Sequence, residues 1–157
     1  GLAQRLNLPR KQAGELIEAY FERYPGIRRY MEQSIDDARA RGYARTVLGR
    51  RRYLRDINSR NATARQAAER FAINTPVQGT AADLIKLAMV RVAREINAAG
   101  MKSRLVLQIH DELLFDVPRK EEAAVRELVR AAMLGALDLG VPLEVELGSG
   151  RTWLEAH

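Results

Sequence analysis

Two short apolar segments joined by only three residues constrain the fold of this chain more than any other feature of its sequence. Residues 105–109 and residues 113–117 are rich in the aliphatic and aromatic side chains that are typical of β-strands. Since His110, Asp111 and Glu112 alone connect them, the two segments must pair as an antiparallel hairpin. A tight hairpin turn favours Asn-Gly or Asp-Gly, so an imidazole beside two carboxylates is expected to make this turn less stable. Residues that lower local stability in this way indicate a functional site.

Helical periodicity accounts for most of the remaining sequence. Apolar residues recur at helical spacing, and Pro, Gly and a capping-box pattern of Thr80 with Asp83 mark the boundaries. The predicted helices cover residues 9–24, 27–41, 62–74, 80–99 and 120–139, with Pro76 interrupting the chain after the third. Residues 143–147 alternate apolar and acidic side chains and predict a further strand. The predicted fold class is α+β, mainly helical with a small antiparallel sheet made of the hairpin plus this C-terminal strand.

Composition narrows the class of protein. The 157 residues suit one domain or one lobe of a larger protein, and the lack of cysteine excludes disulfides and thiolate metal ligands. The sequence contains neither a membrane-length apolar stretch nor a secretory leader. We therefore expect a soluble, cytoplasmic protein that has no membrane partner.

Positive charge is concentrated in one segment. The net charge is +6, and residues 39–70 contain ten arginines against two carboxylates, a local balance of +8. Such a density persists best against a polyanion, and arginine is the better fork for phosphate, so nucleic acid is the expected partner. A GC-rich or thermophilic genome would explain the preference for arginine over lysine, but it explains the clustering less well. Residues 43–48 and 53–57 flank Gly49-Arg50-Arg51-Arg52 and predict a short basic hairpin or loop.

The tip of the apolar hairpin offers oxygen ligands for a metal ion. Mg²⁺ keeps several waters and usually takes one or two protein carboxylates together with phosphate oxygens, a role that Asp111 and Glu112 could fill. Because adjacent strand residues point to opposite faces, we expect one of the two to dominate. A merely solvated turn is the alternative for an Asp-Glu pair considered alone.

A second group of polar residues lies upstream, between residues 70 and 83. The amides of Asn74 and Gln78 can donate to N3 of purines and O2 of pyrimidines, which occupy equivalent minor-groove positions in every base pair. Such contacts test pairing geometry without reading sequence. Helix capping around Pro76 is the alternative for both amides, and Arg70 could be an ordinary salt-bridged helix residue.

Several motifs together point to one family. They are Gln108-Ile109-His110-Asp111-Glu112-Leu113, residues 70–83, Gly49-Arg50-Arg51-Arg52-Tyr53, residues 1–6, Gly148-Ser149-Gly150 and Trp153. In this order and spacing, the chain resembles the C-terminal fingers and palm portion of a bacterial DNA polymerase I, a family A DNA-directed DNA polymerase. The resemblance covers essentially the whole chain. His-Asp-Glu alone would be a weak match, whereas the combination is highly specific.

The resemblance implies a catalytic role for the apolar hairpin in template-directed nucleotidyl transfer. Asp111 would be one of two aspartates that hold a pair of catalytic Mg²⁺ ions, and Glu112 would be an auxiliary acidic residue. His110 would lie near the terminal nucleotide of the primer. The implied partners are primer-template DNA and deoxynucleoside triphosphates.

The resemblance also implies DNA contacts outside the apolar hairpin. Gln78, Asn74 and Arg70 match positions that contact template and primer around the newest base pair. Arg51 and Arg52 would contact backbone phosphates.

By the same resemblance, residues 1–99 would form the fingers and their junction with the palm, and residues 100–157 the palm hairpin, helix and strand. The chain begins at Gly1 without an initiator methionine, and the second metal-binding aspartate, the nucleotide-binding helix and the thumb would lie upstream. We therefore expect the isolated chain to be inactive, to bind Mg²⁺ weakly at best, and to self-associate through surface that the upstream part would cover. The expected location is the bacterial cytoplasm, in association with the nucleoid.

Two other classes of function stay open at this point. The basic segment, residues 39–70, fits a lobe that clamps duplex nucleic acid and performs no chemistry. A metal-dependent phosphohydrolase would need further carboxylates or histidines close to Asp111, and the other histidine of the sequence is His157.

Overall fold

A computed structural model describes residues 2–156. Gly1, which is part of the motif at residues 1–6, and His157 lie outside the described residues. The chain divides into two units, Gly1–Val77 and Gln78–His157. Each unit combines helices with a two-stranded antiparallel sheet. The prediction of a mainly helical α+β fold is therefore confirmed.

Prolines and one glycine set the boundaries of the first helices. Helix α1 spans Leu2–Arg5, α2 spans Arg10–Arg23 and α3 spans Pro25–Arg41. Pro25 occupies the first turn of α3, where its missing N–H is not needed. Gly42 ends α3 with φ of +76°, a conformation that glycine adopts more easily than other residues. Both helices predicted before Gly42 are confirmed.

A short basic hairpin follows α3. Strand β1 (Tyr43–Arg45) pairs antiparallel with β2 (Arg51–Tyr53), which confirms the predicted hairpin. Its inner face joins a small core of the first unit. The buried members of that core are Ala38, Ala44, Leu54, Ile57, Ala68 and Ala72. Since the others are alanines, Leu54 and Ile57 supply most of the apolar volume.

The longest helix, α4, spans Ala62–Ala98 and passes through Pro76. Asn61 caps its start, because Oδ1 accepts hydrogen bonds from the backbone N–H of Thr63 at 3.0 Å and of Ala64 at 3.3 Å. The predicted interruption at Pro76 is therefore wrong, and the helix is continuous.

Tertiary contacts support α4 around Pro76. Proline has no N–H to donate within a helix, a defect that commonly kinks or breaks one. The Tyr30 hydroxyl, which belongs to α3, donates to the carbonyl of Ile73 at 2.7 Å and so satisfies a backbone acceptor in this turn. Thr80 and Asp83 are buried residues inside the helix, so the predicted capping box at these positions is also wrong.

The second unit is built around a hairpin and a helix. Strand β3 (Arg104–Ile109) pairs antiparallel with β4 (Glu112–Asp116), as predicted. A 3₁₀ turn (Arg119–Glu121) then leads into α5 (Glu122–Leu134). The buried core residues of this unit are Val92, Ile96, Val125, Val129 and Ala132. Phe115 of β4 packs against this core.

The helix that follows the β3–β4 hairpin is shorter than predicted. Helix α5 ends at Leu134 rather than near Leu139. A Cβ at Gly135 would lie 2.7 Å from Arg91 Nη1, which donates to the Gly135 carbonyl at 3.4 Å, so a larger residue here would displace the end of the Arg91 side chain. A final short helix, α6, spans Trp153–Ala156. None of the helices described is both long enough and apolar enough to cross a membrane.

The C-terminal segment, residues 143–147, lies along α5 and is not a strand. Its burial alternates as predicted, yet within residues 2–156 the sheet of this unit consists of β3 and β4. Arg126 Nη2 donates to the carbonyl of Leu147 at 2.9 Å, and Arg130 Nη1 donates to the carbonyl of Val145 at 3.2 Å. The predicted third strand is therefore wrong, because the alternating pattern reflects packing against a helix.

Candidate functional site

The β3–β4 turn exposes His110, Asp111 and Glu112 at one hairpin tip. Because Ile109 pairs with Glu112, the turn has two central residues, His110 and Asp111, and Glu112 belongs to β4. His110 has φ of +53°, in the left-handed region that tight hairpin turns require at their first central position and that glycine fills most easily. Gln108 Nε2 donates to the His110 carbonyl at 3.0 Å. His110 therefore adopts a backbone conformation that a non-glycine residue disfavours, as the sequence predicted.

Replacement of His110 by Gly is expected to stabilise the β3–β4 hairpin by up to about 1 kcal/mol, because a side chain in the left-handed region costs about 1–2 kcal/mol and glycine loses more entropy on folding. His110→Val should destabilise it, since a β-branched residue tolerates this φ poorly. Amide hydrogen exchange of β3 and β4 measures both effects. Faster exchange in the glycine variant than in the parent would show that the backbone at His110 is unstrained.

The Asp111 carboxylate is the freest acidic group of the turn. It is exposed, and within residues 2–156 it makes no hydrogen bond or ion pair. Exposed carboxylate oxygens suit Mg²⁺, which usually takes one or two of them together with waters and phosphate oxygens. Asp111 and Glu112 therefore fit such an ion as partial ligands. In the part of the chain that the structure describes, no group of three or more His, Asp or Glu side chains is placed to hold a metal.

One part of the β3–β4 hairpin leaves apolar side chains in solvent. The register shifts between Leu105 and Leu107, so Val106 is bulged from the ladder. Val106 is 61% exposed and Leu107 is 49% exposed. This apolar surface agrees with the expected self-association, which stays a prediction.

Glu121 fixes the chain just before β3. Its Oε2 accepts hydrogen bonds from the Ser103 hydroxyl at 2.7 Å and from the Ser103 N–H at 3.0 Å, and the Lys102 N–H donates to the same carboxylate at 3.0 Å. These bonds, the Ser103 hydroxyl first, hold the pKa of Glu121 below its ordinary value. Sequence reasoning missed Glu121, because its partners lie far away along the chain and no local pattern marks it.

Acid should weaken the second unit through Glu121. A carboxyl whose folded-state pKa is depressed stabilises the fold above its ordinary pKa of 4.5 and loses that contribution as pH falls through the lower folded-state value. We expect the urea midpoint of the 157-residue chain to fall between about pH 5 and pH 3. Glu121→Gln should lack this part of the pH dependence, whereas Glu122→Gln should retain it. An identical pH dependence in both variants would contradict the role of Glu121.

Arg70, Asn74 and Gln78 lie on α4 at intervals of four residues, and all three are exposed. In the first unit, Arg70 and Asn74 share one face of the helix, since four residues are about one turn. Arg70 has no ion pair within residues 2–156, so the salt-bridge alternative does not hold. Because α4 is continuous, helix capping does not explain Asn74 or Gln78 either.

Arg51 and Arg52 face opposite sides of β2, and each contacts an aromatic ring. The Arg51 guanidinium carbon lies 4.8 Å from the centre of the Tyr43 ring. The Arg52 guanidinium carbon lies 3.8 Å from the centre of the Phe71 ring, on the same face as buried Ala44. Sequence reasoning treated both arginines alike and missed the two rings. The two-residue period of a strand was the signal that could have separated them.

Part of the predicted basic surface is neutralised within the first unit. Arg39 Nη2 lies 2.7 Å from Glu69 Oε1, and Arg65 Nε lies 3.9 Å from the same oxygen. Arg41 Nη2 lies 3.5 Å from Asp37 Oδ1. The positive charge of residues 39–70 is therefore less uniform than the sequence indicates.

Comparison with known proteins places the chain in a family. Residues 1–155 match the sequence model of DNA polymerase family A, and the chain belongs to this family. DNA polymerase I of Lactococcus lactis subsp. lactis is 48% identical over 156 residues, which cover 99% of this chain and 18% of that relative. DNA polymerase I of Mycobacterium tuberculosis is 50% identical over 153 residues, which cover 98% of this chain and 17% of that relative.

A solved structure shares the fold. The POL domain of Pol1 from M. smegmatis, in complex with DNA primer-template and dNTP, matches with a TM-score of 0.96 and 50% sequence identity over 99% of this chain and 28% of that chain. The present chain spans about 18% of the length of the curated relatives. The family resemblance inferred from the motifs is confirmed.

Proposed function

We propose that this chain forms part of the catalytic core of a DNA-directed DNA polymerase, which transfers a nucleotide from a deoxynucleoside triphosphate to the 3′-hydroxyl of a primer. The observation that carries the proposal is the exposed Asp111 carboxylate at the two-residue β3–β4 turn of a family A chain. The solved relative was captured with primer-template DNA and dNTP, which supports the same partners here.

Asp111 is the proposed protein ligand of Mg²⁺, with Glu112 in an auxiliary position. Family A DNA polymerases generally use Mg²⁺, and two such ions are proposed for the intact enzyme. When bound, the metal supplies positive charge that activates the primer hydroxyl and stabilises the leaving pyrophosphate. The chain contributes carboxylate oxygens on a hairpin that is fixed to the core through Phe115. A carboxylate on a rigid element is already oriented for a metal ion and loses little entropy when the ion binds.

The proposed DNA contacts differ in kind. Gln78 and Asn74 carry amides that can donate to minor-groove acceptors common to all base pairs, so they would test the newest pair without reading its sequence. Arg70, on the same helix face as Asn74, would bind a phosphate or sugar and set the position of the duplex. His110, beside Asp111, would contact the terminal nucleotide of the primer.

Arg51 and Arg52 are the proposed phosphate contacts of the β1–β2 hairpin. The guanidinium group of each arginine lies over an aromatic ring, Tyr43 for Arg51 and Phe71 for Arg52. A guanidinium group has five N–H donors, so a contact with a ring does not use them all. Those N–H groups can fork onto phosphate oxygens. The aromatic rings would therefore hold the two cations in place rather than compete for them.

The proposed context is a longer polymerase in the bacterial cytoplasm, acting on the nucleoid. Residues 1–99 would belong to the fingers and their junction with the palm, and residues 100–157 to the palm. The remainder of the polymerase would supply the second metal-binding aspartate.

The test is primer extension by the whole polymerase that contains this sequence, with Asp111 intact and with Asp111 replaced by Asn. Loss of extension with retained duplex binding supports the proposal. Unchanged extension would instead favour a lobe that binds duplex nucleic acid without performing chemistry.

A further inference from the structure

The outer face of the β1–β2 hairpin brings two tyrosines and two arginines together. In the register, Tyr43 is opposite Tyr53, and Arg45 is opposite Arg51. Residues two apart on a strand and residues directly opposite share a face, so these four side chains lie on one side of the hairpin. Ala44 is buried on the other side. The four residues, called the tyrosine-arginine face below, are not part of the first unit's buried core.

The two tyrosines form a continuous aromatic surface. Their ring centres are 5.9 Å apart at an interplanar angle of 65°, an edge-to-face arrangement. The Arg51 guanidinium covers the Tyr43 ring at 4.8 Å. Tyr53 is 69% exposed, a large fraction for an aromatic residue in a strand. Tyr53 is thus a ring supported at its edge and open to a ligand.

The two arginines of the tyrosine-arginine face have no carboxylate partner in the part of the chain that the structure describes. Like charges directly opposite each other on paired strands are destabilising. An anion bound between them would remove the repulsion. The face therefore presents an aromatic platform beside a site for negative charge.

We propose that the tyrosine-arginine face binds unpaired nucleotides of the template strand, with a base stacked on Tyr53 and phosphates held by Arg45 and Arg51. In a duplex, neighbouring base pairs cover both faces of each base, so a tyrosine ring cannot stack there. Unpaired bases expose these faces, and aromatic side chains beside basic ones are how proteins hold single strands. The inference rests on the proposed function, since a polymerase must hold a template that is not yet copied.

The test compares two primer-templates that share one duplex, using the whole polymerase that contains this sequence without added dNTP. One template ends in an unpaired 5′ overhang of about ten nucleotides and the other in a single unpaired nucleotide. Tyr53→Ala should weaken binding of the long overhang about tenfold and leave the short one unchanged. Tyr53→Phe, which keeps the ring, should bind like the parent. 2-Aminopurine in the long overhang should lose fluorescence on binding the parent but not Tyr53→Ala.

Charge and folding have their own controls. For the long overhang, Arg45→Gln should make the plot of log affinity against log salt concentration less steep by about one unit, because one phosphate contact is lost. Leu48→Ala, in the loop of the same hairpin, should leave both affinities unchanged. Equal weakening of both substrates by Tyr53→Ala, or failure of Tyr53→Phe to restore binding, would overturn the inference. Unquenched 2-aminopurine in the parent would overturn it as well, since another part of the polymerase would then cover the face.

The inference and the proposed function fail separately. If Tyr53→Ala leaves binding of the long overhang intact while Asp111→Asn still abolishes extension, the template site is wrong and the polymerase function stands. If extension survives Asp111→Asn, the proposed function is wrong whatever the overhang measurements give.

Discussion

Replacing Asp111 by Asn in the whole polymerase that contains this sequence is expected to lower the rate of nucleotide addition by about 10³-fold or more. The carboxamide keeps the size and exposure of the side chain but removes the negative charge that would hold a divalent ion. Because that charge acts chiefly in the transition state, kcat should fall while KM for dNTP changes little. Single-turnover primer extension measures the rate, and fluorescence anisotropy of labelled primer-template measures DNA binding.

Two variants of the same strand calibrate the Asp111 result. Glu112→Gln should cause a smaller loss, since Glu112 is in the strand and not in the turn. Asp116→Asn, at the far end of β4, should extend primers at the parental rate. Wild-type extension by Asp111→Asn would move catalysis elsewhere in the polymerase. Equal losses of rate and of DNA binding would show a damaged hairpin instead of a missing ligand.

The β3–β4 hairpin was predictable because every signal for it is local. Two apolar runs and a three-residue connection leave one arrangement, and the clash with turn preferences already singled out His110 and Asp111. The sequence left the length of the turn open. Pairing of Ile109 with Glu112 moves Glu112 into the strand and leaves a two-residue turn.

The errors all involve partners that are distant along the chain. Pro76 predicts a break from local rules, but α4 is continuous and is supported by the Tyr30 hydroxyl, a contact 43 residues away along the chain. The alternation over residues 143–147 predicts a strand, but arginines of α5 take the backbone carbonyls that a neighbouring strand would have used. An alternation of apolar and polar residues shows only that one face of an extended segment is buried, and a helix can cover that face as well as a sheet can.

The candidate site also separates into features with a local signal in the sequence and features that depend on contacts distant along the chain. Asp111, Asn74 and Gln78 stand out by residue type and motif, so the sequence alone was enough to propose them. The contact of Arg52 with Phe71 joins residues far apart along the chain, and strand alternation alone cannot say which ring a guanidinium meets. Chemical identity was therefore readable from the sequence, whereas the supporting contacts depended on the fold.

Leu54→Ala is expected to destabilise the β1–β2 hairpin by about 2 kcal/mol or more, since a buried leucine loses both its transfer energy and its packing when truncated. Leu54 is 5% exposed, and its core neighbours are mostly alanines that cannot fill the cavity. The backbone N–H of residue 54 donates to the Gly42 carbonyl, and the Thr46 N–H donates to the Arg50 carbonyl, both at 2.9 Å. Exchange of these amides should accelerate about 30-fold.

Leu48→Ala is the matched control, because it removes the same side chain from the same hairpin at a position that is 50% exposed. Its amides should exchange within about threefold of the parent, as for most surface substitutions. If exchange is unchanged, Leu54 does not hold the hairpin to the core.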